Sequence, residues 1–271
     1  KGGVVSNCNN SGNVLFDSTD ITKYNKMVIL GGVAAFFYSS LTFTNCNNTA
    51  EKVEAKMNGA SENLAIGGIL GMARIRHRNT NTVVKFKDCT NKSDVTATVA
   101  KSGSRVHVGG VAGWMYGWSE TSFKYVFEDV DNYGSVKATV NNNLDSKNVY
   151  LYLGGILGDD VHAQETGLPD SGTNCNVKGS NCQFTRCYNH AAKDGSKSLY
   201  VMANNVYQLY AGGLIGATQL NFTMNTCENN LPFLYEGTKV TNRNFYGGLV
   251  GKIVPKHAGK TTTIDGFTNN G

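Results

Sequence analysis

Tyr150-Leu151-Tyr152-Leu153-Gly154-Gly155-Ile156-Leu157-Gly158 decides the fold, because close relatives of it occur five more times along the 271 residues. They are Gly31-Gly32-Val33-Ala34-Ala35, Gly67-Gly68-Ile69-Leu70-Gly71, Gly109-Gly110-Val111-Ala112-Gly113, Gly212-Gly213-Leu214-Ile215-Gly216 and Gly247-Gly248-Leu249-Val250-Gly251. The pairs begin at residues 31, 67, 109, 154, 212 and 247, so successive starts lie 36, 42, 45, 58 and 35 residues apart. Recurrence at about 40 residues is the mark of a repeat architecture.

A second motif keeps step with the first. An aromatic or apolar residue is followed three positions on by Cys and five positions on by Asn, as in Val5/Cys8/Asn10, Phe43/Cys46/Asn48, Phe86/Cys89/Asn91, Phe184/Cys187/Asn189 and Met224/Cys227/Asn229. Phe127/Val130/Asn132 and Ile264/Phe267/Asn269 continue the series with Val and Phe in place of Cys. The anchors at 8, 46, 89, 130, 187, 227 and 267 are 38, 43, 41, 57, 40 and 40 residues apart. A repeat array shares one continuous core, so residues 1–271 are expected to form one domain.

Composition agrees. Gly supplies 32 of 271 residues, about 12% against an average of roughly 7%, and only three Pro occur. That balance suits stacked strands joined by tight turns, since Pro removes ladder donors. A net charge of +5 without a recognition motif gives no reason to expect nucleic acid. The chain has no apolar run near 18 residues, so no direct membrane insertion is expected, and Lys1-Gly2-Gly3 does not begin a signal peptide. Neither end reads as a polar cap. The expectation is a piece of a longer protein that continues into further repeats.

The unit between Val106 and Asn148 parses into three strands: Arg105–Val108, Phe123–Val130 and Val136–Val140. The third alternates with period two and recurs as Val53-Glu54-Ala55-Lys56-Met57 and Val95-Thr96-Ala97-Thr98-Val99, which places three small or branched side chains inward at one station. Glu51–Met57 alone has helical propensity. Register with its siblings makes it a strand. Parallel strands returning every 40 or so residues predict an all-β fold, a right-handed single-stranded parallel β-helix of about six coils. A propeller is the competitor and wants four antiparallel strands per blade.

The Gly pair marks a bend that resets which face points inward. The Cys-x-Asn station is a second corner, where Asn tolerates the left-handed conformation and stacked Asn side chains can share amide bonds. Cys at this station is expected to be buried, reduced and stacked. The segments after the Gly motifs read as variable loops at one edge: Arg74, Arg76 and His77 after Gly71; Trp114, Tyr116 and Trp118 after Gly113; Asp159, Asp160 and His162 after Gly158.

The motif Gly-Gly-(Ile/Leu/Val)-x-Gly with a strand ending Asn-Cys-x-Asn-x-Gly-x-Val, as in Val5-Ser6-Asn7-Cys8-Asn9-Asn10-Ser11-Gly12-Asn13-Val14 and Gly247-Gly248-Leu249-Val250-Gly251, resembles the GLUG-motif repeats. The resemblance covers essentially the whole chain, with longer and less regular repeats than the family's. It implies a large secreted or surface-attached protein of bacterial type, adhesin-like, and brings no catalytic residue.

Several chemical candidates stand beside their plainer readings. Asp159-Asp160-x-His162, with Glu165 and Asp170 nearby, is either a metal corner or a solvated acidic loop. Trp114, Tyr116 and Trp118 are either a loop packed on its own coil or, beside Arg74, Arg76 and His77, a platform for sugar rings with acidic groups. Cys175 and Cys182 fall outside the Cys column and suit a local disulfide in an oxidising compartment. Lys85, Lys87 and Asp88 resemble the scattered side chains of polysaccharide-active β-helix enzymes. No His-Glu-x-x-His motif is present. Sequons at Asn9, Asn47, Asn91 and Asn221 mostly coincide with the Asn corner. The resulting expectation is a non-enzymatic stalk or adhesive module outside the cell, without metal or cofactor, whose partner is a surface protein or glycan of a host or neighbouring cell. The alternative is a polysaccharide lyase or hydrolase with its site on the variable loops.

Overall fold

The computed structural model describes residues 2–18, 27–58, 61–76, 82–100, 102–118, 123–141, 149–160, 180–192, 195–253 and 262–271. Among these every regular element is a β-strand and every strand pairing is parallel. A first sheet runs β1 (Gly3–Ser6), β6 (Leu41–Thr44), β11 (Thr82–Asn91), β15 (Phe123–Asn132), β19 (Asn181–Asn189), β22 (Asn221–Asn229) and β25 (Thr262–Asn269), with the short β2 (Asn9–Asn10) and β7 (Asn47–Asn48) beside it. A second runs β5 (Ala34–Tyr38), β10 (Leu70–Arg76), β14 (Ala112–Trp118), β18 (Leu157–Asp159), β21 (Ile215–Thr218) and β24 (Val250–Ile253).

The third sheet has two limbs. One is β3 (Val14–Ser18), β8 (Lys52–Met57), β12 (Asp94–Val99) and β16 (Val136–Asn141); the other is β4 (Val28–Gly31), β9 (Ser61–Gly67), β13 (Ser102–Gly109) and β17 (Tyr150–Gly154). They merge in β20 (Leu199–Gly212), whose first half pairs with β16 and second half with β17, and β23 (Phe233–Gly247) follows its length. The chain therefore passes β12, β13, β14, β15 and back to β16 beside β12. Where the sequence pattern suggested three strands, the unit from Ser102 to Asn141 has four, β13 to β16, among the described residues. The additional one follows the Gly pair, in the segments read as loops.

The Val-x-Ala-x-Val stations stack as expected. Val53, Val95 and Val136 are register partners, as are Ala55, Ala97 and Ala138, and all six are buried. Glu51–Met57 accordingly holds a strand from Lys52 onward. In the first sheet Phe43, Phe86, Phe127 and Phe184 stack face to face, with centroids 4.9, 4.9 and 4.5 Å apart. Each such contact contributes about 0.5–1.5 kcal/mol beyond its buried area. Cys46, Cys89, Val130, Cys187 and Cys227 form the adjoining buried column, Phe267 continues it, and the six described cysteines are free thiols.

The corner differs from the sequence expectation in one respect. Positive φ falls on the residue before the Cys station, at Asn7, Asn45, Asp88, Asp129, Arg186, Thr226 and Gly266, whereas the Asn two residues after it is extended. That Asn has another task. Asn10 donates to Asn48, Asn48 to Asn91, Asn91 to Asn132, Asn132 to Asn189, Asn189 to Asn229 and Asn229 to Asn269, at 2.8–3.1 Å and always Nδ2 to Oδ1. The ladder runs in one sense throughout.

The Gly bends press against this ladder. A Cβ on Gly32, Gly68, Gly110, Gly155, Gly213 or Gly248 would overlap the amide of an Asn in the ladder. The contact divides the interior into one apolar cluster between the first and second sheets and another between the limbs of the third. On the outer side of each bend, β13 and β14 and their counterparts form the walls of a notch.

Candidate functional site

Two columns of side chains face each other across the notch. Residues two before each Gly pair, Ile29, Ala65, His107, Tyr152, Tyr210 and Phe245, form one column by strand register. Phe36, Met72, Trp114, Asp159, Ala217 and Lys252 form the other. Bulk on one wall meets a small group on the other: Trp114 opposite Ala65's column position, Asp159 beside His107, Ala217 beside Tyr210. The rings then stack. Trp114 lies on His107 at 4.1 Å, His107 on Tyr152 at 5.1 Å, Tyr152 on Tyr210 at 4.8 Å and Tyr210 on Phe245 at 5.3 Å, all within 6° of parallel. Lys252 Nζ closes the stack, 4.7 Å from the Tyr210 and Phe245 rings.

His107 is fully buried and its Nδ1 lies 2.6 Å from Asp159 Oδ1. Burial, followed by the Arg105 charge, holds its pKa well below the usual histidine range. Neutral His107 thus donates Nδ1–H to the carboxylate. Farther from the bend the walls carry cations on tyrosines. The Arg74 guanidinium is 5.2 Å from the Tyr116 ring centre and that of Arg105 is 5.8 Å from Tyr150. Arg105 is only 2% exposed, and its Nη2 and Arg74 Nε are buried without a hydrogen-bond partner.

Asp160 points the other way, into the interior. It accepts hydrogen bonds from Thr218 Oγ1 and the Gln219 amide, both at 2.7 Å. Burial raises its pKa to about 7, against the lowering effect of those two donors.

The residues singled out in the sequence are brought together in part, with a different exposure. Arg74 pairs in register with Tyr116, Arg76 with Trp118 and Trp114 with Asp159. The adjacency is as expected, yet Trp114 and Tyr116 are 4% and 6% exposed, so they are not an open platform. The segments hold strands buried on both faces, with one set of side chains in the core and the other filling the notch. The acidic loop reading fails likewise for Asp159 and Asp160, both buried. Cys182 lies inside β19 with a free, buried thiol, in register between Tyr125 and Phe222, and not in the insertion. His77, His162 and Cys175 lie outside the described residues.

His107, Arg105, Tyr150 and Tyr152 were read from the sequence as strand positions and not as site residues, although their places two and four before the Gly pair recur in every repeat. Among the described residues no group of three or more His, Cys, Asp or Glu is placed to hold a metal ion. Lys85 is taken up by Glu128 at 2.6 Å. Asn91 spends both amide hydrogens on Ser93 O and Asn132, so that sequon is a structural position. Comparisons with protein-family models, curated proteins and solved structures find no match.

Proposed function

We propose that the chain is a right-handed single-stranded parallel β-helix of about six coils, a non-enzymatic segment of a large extracellular, surface-attached protein, serving as stalk and adhesive module. The observation that carries this reading is the unbroken amide ladder from Asn10 to Asn269, which runs the length of the stack in one direction. Such a ladder rewards indefinite stacking, because each Asn is satisfied only by neighbours on both sides. The resemblance to the GLUG-motif repeats points to the same setting.

Two measurements test it together. Small-angle X-ray scattering of the purified chain is expected to give an elongated particle, and beads coated with the chain are expected to adhere to cells or glycans. A compact particle that adheres to neither is incompatible with the reading.

A further inference from the structure

The arginines of the notch raise a physical problem. A buried charge without a counter-charge costs several kcal/mol, and such groups are normally paired. Among the described residues neither Arg74 nor Arg105 makes an ion pair; the notch carboxylate, Asp159, is engaged with His107. Lys252 adds a third cation along the same notch, and Arg243 a fourth in the column of Arg105, Tyr150 and Gln208. Neutral His107 adds none.

We propose that this rim binds a carboxylate-bearing sugar chain, a uronate-type acidic glycan, with Arg74 taking the carboxylate. The column Tyr38, Arg74, Tyr116 is in direct register, so aromatic, cation and aromatic alternate at successive strands about 4.8 Å apart. Tyr38 is 49% exposed and Arg74 half-buried, which leaves the outer part of the column reachable. Guanidinium and carboxylate match as a planar two-point pair. The exposed Tyr38 ring beside Arg74 offers a face for the C–H side of a pyranose. An acidic peptide would satisfy the charge and leave the exposed Tyr38 ring unused. Arg105 lies deeper and acts through its field: unneutralised in a medium of low polarity, it raises the potential felt by the anion at Arg74.

The inference rests on the adhesive-module reading for its setting. Its test is binding of a galacturonate oligomer to the full chain by titration calorimetry, against a neutral galactose oligomer of equal length. The uronate should bind, more weakly at high salt, and the neutral sugar should not. Arg74→Gln should weaken binding at least tenfold. Arg105→Met should weaken it similarly while raising the unliganded melting temperature, since an uncompensated buried charge is replaced by an apolar side chain of similar length. Unchanged affinity in both variants overturns the proposal, and so does a lowered melting temperature with intact binding in Arg105→Met. If that variant does not fold, Arg74→Gln decides alone. Equal binding of inorganic phosphate would show a general anion effect only, and equal binding of polyglutamate would favour a protein partner; either overturns the glycan assignment. Beads that adhere through neutral glycans with no uronate response defeat this inference and spare the parent reading, while uronate binding by a chain that adheres to nothing does the reverse.

Discussion

Gly110 lies so close to Asn132 that a Cβ on the glycine would come within 2.6 Å of the asparagine Cγ. Two sequence motifs that share a period thus share it because they touch. The same substitution would meet Gly155 O at 2.0 Å, and backbone on that side is held by the parallel pairing. Gly110→Ala should therefore cost about 3 kcal/mol or more, read as a lowered urea midpoint. Gly12, where a Cβ meets only Asn10 Oδ1 at 3.8 Å, is the control, and Gly12→Ala should be neutral or slightly stabilising.

Asn132 tests the ladder itself. Its Nδ2 donates to Gly134 O and to Asn189 Oδ1, both at 2.8 Å, while its Oδ1 accepts from Asn91. Asn132→Asp keeps the shape and places a buried carboxylate against two acceptors. A loss of about 3–5 kcal/mol at neutral pH is expected, partly recovered in acid as the new carboxyl protonates and becomes a donor. Denaturation curves for this variant that coincide with wild type at neutral pH would remove the ladder's energetic role.

Asp160 should make stability fall as pH rises. Its folded pKa, about 7, exceeds the unfolded value of 3.8, so the native state binds more protons between those limits. The protonated form's advantage is fully present below pH 4 and is lost by pH 7, on the order of 4 kcal/mol in all. Asp160→Asn retains an acceptor for the Gln219 amide and should flatten that slope in urea titrations across pH 4–7. A variant with the wild-type slope would assign the pH dependence to other groups.

How far the sequence could be read follows from which contacts repeat locally. The Gly pair, the Cys station and the Val-x-Ala-x-Val strand recur as short identical patterns, so parallel all-β stacking and the Asn ladder were legible. The strand after the Gly pair was not. Met72-Ala73-Arg74-Ile75 and Trp114-Met115-Tyr116 alternate as strands should, but both parities carry large side chains because both faces are buried, one in the core and one in the notch. Asp159 and Asp160 looked like a solvated loop for the same reason: the hydrogen bonds that engage them come from His107, Thr218 and Gln219, 52–59 residues away in sequence.

Thiol chemistry should separate the Cys column from its first member. Burial raises the pKa of Cys89 to about 12, so little thiolate forms at neutral pH, and Cys46, Cys187 and Cys227 are also buried. Cys8 is half-buried at the start of the column. Brief alkylation of the native chain, followed by peptide mass spectrometry, should label Cys8 first among the six described cysteines, and all of them after denaturation. Labelling of Cys89 as fast as Cys8 would contradict the buried column.

Trp114 and Ala65 give the sharpest test of the notch, because register partners of His107 and Met72 force one to be large where the other is small. Trp114→Ala removes a ring stacked 4.1 Å from His107 and should cost about 3–5 kcal/mol. Ala65→Phe alone overfills the same space and should cost about 1–3 kcal/mol. Because the new phenyl would occupy the place the indole vacates, next to His107 in its own column, the double variant should be more stable than the sum of the single losses allows, by at least 1 kcal/mol or so. Strict additivity in that cycle would mean that the two positions do not share a cavity. A large loss of ligand binding in Trp114→Ala at unchanged stability would instead restore the indole as an exposed platform.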